Sequence, residues 1–428
     1  MNLYLFNASD SAATYGIGTY LKELTSALEG TEINIRIIHL HSDRPEFEIV
    51  KTNTVENWYI PEVRNHHTFS GSIQKLEDYY LNVIYLLHIH IKDTKDLIFH
   101  FNYNQSQFLA KELKKVFNCQ TVATVHFIKW ALELHGNLSR FQALKSKPEN
   151  QQNSFEQLLY TTDEYEGLLY KEVDRVIALS QYTQNLLYSE YQLNTNKVTV
   201  IPNGLSTIDN GQLSIDNGQL IIDNERKIDK IALRRKWRIA EKEFIILFVG
   251  RLHAVKGLLF LLKAFRNVLD SLPDCHLIVA GNGNFETHIK ESQDICTKIT
   301  FTGLLEKKEL YELYRIADIG VMPSFHEQCS YVAIEMMMHG LPIIGSTTTG
   351  LKEMIEDGET GLHIPVIEHD DSVEIDTDLL AKRILYLFQH PEEAKQMGRN
   401  GRNRYENMYT SEILGHNMLR IYQSLFKQ

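Results

Sequence analysis

Short, uninterrupted apolar runs alternate with helix-periodic stretches along the whole chain. In the first half NLYLF (2–6), INIRIIHL (33–40), LIFHF (97–101), TVATVHF (121–127), RVIALS (175–180) and VTVIP (198–202) read as buried strands. Stretches such as QFLAKELKKVF (107–117) and QYTQNLLYSEY (181–191) carry the helical period between some of them. The second half repeats the scheme. FIILFVG (244–250), HLIVAG (276–281), ITFTG (299–303), IGVMPS (319–324) and LPIIGS (341–346) are separated by GLLFLLKAFRNVL, KKELYELYRIA and YVAIEMMMHG. A strand that is apolar at every position is covered on both faces, and alternation with helices is the pattern of a parallel sheet. The chain is therefore expected to be α/β, with two Rossmann-like domains in tandem. In VIYLLHIHI (83–91), His88 and His90 stand two apart, a spacing that suits one face of a strand.

Between the halves lies a repeat, TIDNGQL (207–213), SIDNGQL (214–220) and IIDNE (221–225). It is too short and polar for a solenoid, and its Asn-Gly pairs favour turns, so a flexible or hairpin-like linker insertion is expected. The resulting division is 1–205, a linker at 206–228, 229–408, and a terminal helix within 409–428.

Composition narrows the partners. The 428 residues carry 44 basic against 55 acidic side chains, a net charge of -11, and 43% are apolar, enough for sizeable cores. A fold devoted to nucleic acid needs a basic surplus, so no nucleic-acid partner is expected. The four cysteines, Cys119, Cys275, Cys296 and Cys329, form no CxxC pair, so neither a zinc ribbon nor a disulfide framework is indicated. The opening residues lack the order of a secretory signal, and no apolar run is long enough to span a bilayer. A cytoplasmic setting is expected; peripheral membrane contact and oligomeric state stay open.

Candidate chemistry concentrates in the second half. In SFHEQCSYVAIEMMMHGLPIIG (324–345), Glu327 and Glu335 lie on either side of a predicted helix start at Ser330. Glu335 falls inside the helix among apolar neighbours and needs hydrogen-bond donors, which the vicinal hydroxyls of a ribose could supply. First-turn N–H groups around Ser330, Tyr331 and Val332 form a natural phosphate site. In FVGRLHAVKGLLFLLKAF (248–265), Arg251 leaves a strand end and Lys256 stands at a helix start, where a cation is unfavourable unless an anion joins it. The pair could clamp a diphosphate. Neither Gly281 and Gly283 nor Gly16 and Gly18 is followed by the third glycine of a dinucleotide fingerprint, which disfavours a nicotinamide dehydrogenase. Asp376 and Asp378 make a DxD before a C-terminal helix rather than at a strand end, so no metal site is expected there. His88 and His90 are expected to be packing or surface residues, and Cys329 a small packing residue.

The succession GRLHAVKG, AGNGNFE, FTGLLEKKELYELYRIADIGVMPS, HEQCSYVAIEMMMHGLPIIG and TTTGLKEMIEDGETGL resembles the GT-B glycosyltransferases of family 4, the group 1 type. The match is strong over about 240–365 and weaker over 1–205. The resemblance implies two Rossmann-like domains facing a cleft, with a C-terminal helix crossing back to the N-domain. It implies a nucleotide-sugar donor held by the C-terminal domain, an acceptor glycan, lipid or peptide held by the N-terminal domain, and hexosyl transfer with retention and without a metal or other cofactor. Residue by residue, Arg251 and Lys256 match the basic pair on the donor diphosphate, Glu327 the donor-sugar contact and Glu335 the ribose contact. Ser330, Tyr331 and Val332 match amides at the distal phosphate, and Leu304 the main-chain contact to the base. His126 matches the N-domain histidine near the reacting centre, and Gly16 and Gly18 the first glycine loop. Two positions depart from the pattern: Phe127 stands where Asp is common, and Thr349 precedes Gly350 where a second glycine is usual. Alternatives within the same architecture are a sugar-nucleotide epimerase and a non-catalytic nucleotide-sugar-binding subunit.

Overall fold

The structure, a computed structural model, describes residues 1–8, 16–52, 54–62, 73–207, 215–216, 219–220 and 230–426. These fall into two compact units, one from Met1–Leu134, Leu138–Gly204 and Ser411–Gln428, the other from His135–Asn137 and Leu205–Thr410.

In the first unit, the described strands are β1 (Asn2–Ala8), β2 (Asn34–Ser42), β3 (Glu48–Thr52), β4 (Val55–Pro61), β5 (Leu97–Phe101), β6 (Cys119–Val125), β7 (Arg175–Ala178) and β8 (Val198–Val200). They form one sheet in the order β3-β4-β2-β1-β5-β6-β7-β8, parallel except where β3 meets β4. Most runs that read as buried strands lie inside the sheet, and every residue of β5 is buried; VTVIP instead supplies β8 at the sheet edge, where only Val198 is buried. By contrast β3, EIVKT, is exposed on most of its length, and this charged edge strand left no apolar run to read. Such an edge also discourages pairing with other chains. The sheet order reverses between β1 and β5, which opens a crevice at the carboxyl ends of those strands. The helix Ser411–Ser424 belongs to this unit and is tied to the core where Tyr422 and His100 share a hydrogen bond of 2.7 Å.

One expectation is corrected. His88 and His90 lie at the end of a helix, Ile73–His90, not on a strand. A continuous apolar run has no polar alternation to set its period, and here Val83, Ile84 and Leu87 turn inward while Leu81, Tyr85 and Ile89 are exposed.

In the second unit, β9 (Ile215–Asp216) and β10 (Gln219–Leu220), both within the repeat, pair antiparallel. The first copy, 207–213, lies outside the described residues except at Thr207. The unit's main sheet consists of β11 (Phe244–Val249), β12 (Cys275–Ala280), β13 (Ile299–Gly303), β14 (Ile319–Met322), β15 (Ile343–Ser346) and β16 (Gly361–Ile364). All its pairs are parallel, in the order β13-β12-β11-β14-β15-β16. The order reverses between β11 and β14. The helix Leu258–Ser271 covers this sheet through Leu258, Leu261, Leu262, Phe265 and Val268, an i, i+3, i+4, i+7 stripe.

The DxD pair stands at the start of the helix Thr377–Gln389, with Asp376 as its N-cap and Asp378 in its first turn. Asp376 accepts from the Leu379 N–H at 2.9 Å, and Asp378 accepts from the Asn267 amide at 2.8 Å. Among the described residues, no helix is long and apolar enough to cross a membrane.

Candidate active site

The switch point of the second sheet brings two loops together. After β11 the chain passes Gly250 and the exposed Arg251, then winds into a 3-10 turn, Ala254–Lys256, in which the Val255 N–H donates to the His253 ring. After β14 it runs through Pro323 to Glu327. The Phe325 N–H donates to the Val255 carbonyl at 2.8 Å, joining the loops. Gly257 sits between the turn and the helix at φ 68°, and a Cβ there would lie 1.9 Å from the Pro323 carbonyl oxygen. A left-handed conformation and the absence of a side chain are both required at this position.

Lys256 thereby reaches across the switch point. Its Nζ donates to Glu327 Oε1 at 2.5 Å, and the two side chains are only 20% and 11% exposed. The anion that a cation at a helix start needs is thus present within the protein itself. Such a largely shielded pair acts through stronger Coulomb forces than a surface pair. Gly281 and Gly283 line the neighbouring loop, where the Leu252 N–H donates to the Asn282 carbonyl at 2.7 Å. These glycines let two strand-end loops run against each other, which accounts for the incomplete dinucleotide pattern.

Ser330 caps the helix Tyr331–Met338 by accepting from the Ala333 N–H, so Tyr331 and Val332 occupy the first turn. Glu335 is buried in this helix at 4% exposure. It accepts from Lys307 Nζ at 2.7 Å and from the Tyr314 hydroxyl at 2.8 Å. Two protein donors thus already meet the buried carboxylate, where the sequence alone pointed to ribose hydroxyls; the Lys307 side chain is itself 54% exposed. Leu304 follows Gly303 at the end of β13 and is 64% exposed. Arg251, Lys256, Glu327, Glu335, Leu304 and Ser330 to Val332 all belong to this one unit, at or beside the carboxyl ends of its strands.

Gly16, Gly18 and His126 belong to the other unit. Gly18 begins the helix Gly18–Ala27, with Gly16 two residues earlier; residues 9–15 between β1 and these glycines lie outside the described residues. His126 follows β6, bonds through Nε2 to the Asn102 side chain at 3.0 Å, and meets the Tyr20 ring edge-on. Burial pushes its pKa down to about 3, so at neutral pH the ring is uncharged. Phe127 turns its carbonyl to Asn104, which donates at 2.7 Å. Asn104 also donates to Glu166 at 3.0 Å, a carboxyl that burial raises to about 8.

Four partners escaped the sequence reading: Lys307, Tyr314, Asn102 and Asn104. The two asparagines directly follow the β5 strand end, the place where open α/β sheets bind ligands, so that signal was present. Lys307 and Tyr314 carry no such mark.

Two family profiles match the chain. The family described as "Glycosyl transferases group 1" matches residues 229–404, and "Glycosyltransferase Family 4" matches residues 14–208. The chain belongs to the group 1 glycosyltransferases of family 4. This glycosyltransferase is 25% identical, over 82% of its length and 81% of the other, to an uncharacterized glycosyltransferase of Methanocaldococcus jannaschii. Further curated relatives align over about half of their own length. Among solved structures, sucrose-phosphate synthase from Thermosynechococcus elongatus superposes with TM-score 0.74 at 20% identity, covering 100% of this chain and 99% of that one. Anabaena Alr3699/HepE, solved with UDP and glucose, gives TM-score 0.68 at 16% identity over 99% and 100%. The fold is GT-B, with two Rossmann-like domains, and the enzyme transfers sugar from a nucleotide-sugar donor.

Proposed function

We propose that this glycosyltransferase moves a hexosyl group to an acceptor hydroxyl with retention of anomeric configuration and without a metal ion. The reading rests above all on the Lys256–Glu327 pair at the switch point, beside the N-terminus of the helix Tyr331–Met338. Arg251 and Lys256 face the donor diphosphate, with the first-turn amides at the distal phosphate, and Glu327 contacts the donor sugar. As the bond from the anomeric carbon to the phosphate oxygen breaks, negative charge grows on the leaving nucleoside diphosphate. Fixed cations and a helix N-terminus stabilise that charge more than they stabilise the ground state. The acceptor oxygen bonds the anomeric carbon on the face being vacated and gives its proton to the departing phosphate. The products are the glycoside and a protonated nucleoside diphosphate. Glu335, oriented by Lys307 and Tyr314, receives the ribose hydroxyls, and exposed Leu304 lies at the base. In the other unit His126, held neutral and oriented by Asn102, supplies a hydrogen bond without acting as a general base.

That a structural neighbour was solved with UDP and with UDP-glucose supports a nucleotide-sugar donor. A panel of UDP, GDP and ADP sugars in a thermal-shift assay tests the reading, since a ligand bound only by the folded state raises the melting temperature. One nucleotide class is expected to raise it by several degrees without added metal, and Glu335→Ala to reduce that shift relative to its own unliganded protein. A panel in which no nucleotide shifts the melting temperature refutes the reading.

A further inference from the structure

The loop that carries Glu327 is held from behind by the segment Ser346–Gly350, and it is held by hydroxyls. Ser346 Oγ donates to the Ser324 carbonyl, Thr348 Oγ1 to the Phe325 carbonyl and Thr349 Oγ1 to the Glu327 carbonyl. The Thr349 hydroxyl also accepts from the Glu327 N–H at 2.9 Å, so one oxygen satisfies both backbone groups of Glu327. The Gly350 N–H adds a second donor to the Glu327 carbonyl at 2.8 Å. The two loops lie so close that a Cβ on Gly350 would stand 1.7 Å from the Gln328 carbonyl oxygen.

Thr349 makes these bonds from an unfavourable backbone. Its φ is 31°, in the left-handed region that a β-branched residue rarely enters. A glycine would sit there without strain, yet it would leave the Glu327 N–H without this acceptor. Strain of this kind persists only where surrounding bonds fix it, and both bonds of the Thr349 hydroxyl run to Glu327. At its other end the same residue is fixed by Lys256, 2.5 Å from Oε1.

We infer that Thr349 is a positioning residue for sugar transfer: its hydroxyl clamps the Glu327 backbone so that the carboxylate is presented to the donor sugar in a single orientation. The inference rests on the reading of Glu327 as the donor-sugar contact.

The test compares Thr349→Val, which keeps the shape and removes the hydroxyl, with Thr349→Ser, which keeps the hydroxyl, in the wild-type and Glu327→Gln backgrounds. The first readout needs no ligand. Hydrogen exchange at the Glu327 amide is expected to be about tenfold faster in Thr349→Val and close to wild type in Thr349→Ser. The second is hydrolysis of UDP-glucose or GDP-mannose, whichever the wild type consumes faster, followed as released nucleoside diphosphate. Thr349→Val is expected to lower kcat by about 10- to 100-fold with KM changed less than about twofold, as for a small misplacement of a reacting group. Thr349→Ser is expected to recover most of that loss. In the Glu327→Gln background Thr349→Val is expected to change kcat by less than about twofold, because a residue acting only through Glu327 has nothing left to position. Full loss in both backgrounds, or unchanged exchange at the Glu327 amide, overturns the inference while leaving the role of Glu327 intact. Undiminished turnover in Glu327→Gln alone overturns that role and this inference with it.

Discussion

Lys256→Ala is expected to lower kcat for sugar transfer by about 100- to 1000-fold, the range seen when one preorganised electrostatic group is removed from a charged transition state. The substrate already carries negative charge on its diphosphate, but the bond cleavage adds to it, so the cation binds the transition state more tightly than the donor. KM is therefore expected to change much less than kcat. The substitution also leaves Glu327 without its ammonium partner at 11% exposure. Loss of one member of a fully buried pair costs about 3–5 kcal/mol, and the partial exposure of this pair reduces that to about 1–3 kcal/mol. Steady-state kinetics and urea denaturation on the same preparation separate the two effects. Turnover within threefold of wild type, in a folded protein, would remove Lys256 from the mechanism.

Gly257→Ala is expected to be the more damaging change to the fold. Alanine at φ 68° costs about 1–2 kcal/mol in backbone strain alone. The added methyl would lie 1.9 Å from the Pro323 carbonyl oxygen, and relieving the overlap by moving backbone adds about 1–3 kcal/mol. Pro323 leads into the Ser324–Glu327 loop and Gly257 follows Lys256, so the only relief is to part the two loops. Turnover is then expected to fall at least as far as in Lys256→Ala, because Lys256 and Glu327 separate together. Urea denaturation monitored by far-UV circular dichroism checks the stability loss. A variant as stable and active as wild type would show that the close approach at Pro323 is not maintained in solution.

These two positions also show what was legible in the chain. Lys256 beside Gly257 after an apolar strand, and Glu327 ahead of a capped helix, could be read because each depends on local rules: strand ends, helix starts and turn glycines. That the two residues meet could not be read from those rules, since it depends on β11 and β14 being neighbours at the sheet reversal although 71 positions separate the partners. The same reason hid Lys307 and Tyr314 as partners of Glu335, because the register between two helices sets that contact. Thr349 was visible as a departure from the family pattern, but its compensating hydroxyl bonds exist only once the loops after β14 and β15 lie together. The helical His88 and His90 mark the opposite limit. There the local pattern was ambiguous, and packing of Val83, Ile84 and Leu87 into the core decided it.

The acidic balance of the chain acquires a local meaning in the second unit. A net charge of -11 disfavours polyanionic partners in general. In the proposed mechanism Arg251 and Lys256, at strand and helix ends, nevertheless receive a diphosphate rather than a polymer, with Glu327 already partnering Lys256.

The most direct test of the proposed mechanism is the anomeric configuration of the first-formed product, followed by proton NMR during transfer from the donor selected by thermal shift, with EDTA present throughout. The account predicts that the newly formed glycosidic bond carries the same anomeric configuration as the donor, at an undiminished rate. An inverted product, or turnover that stops with EDTA and returns with a divalent cation, would contradict it.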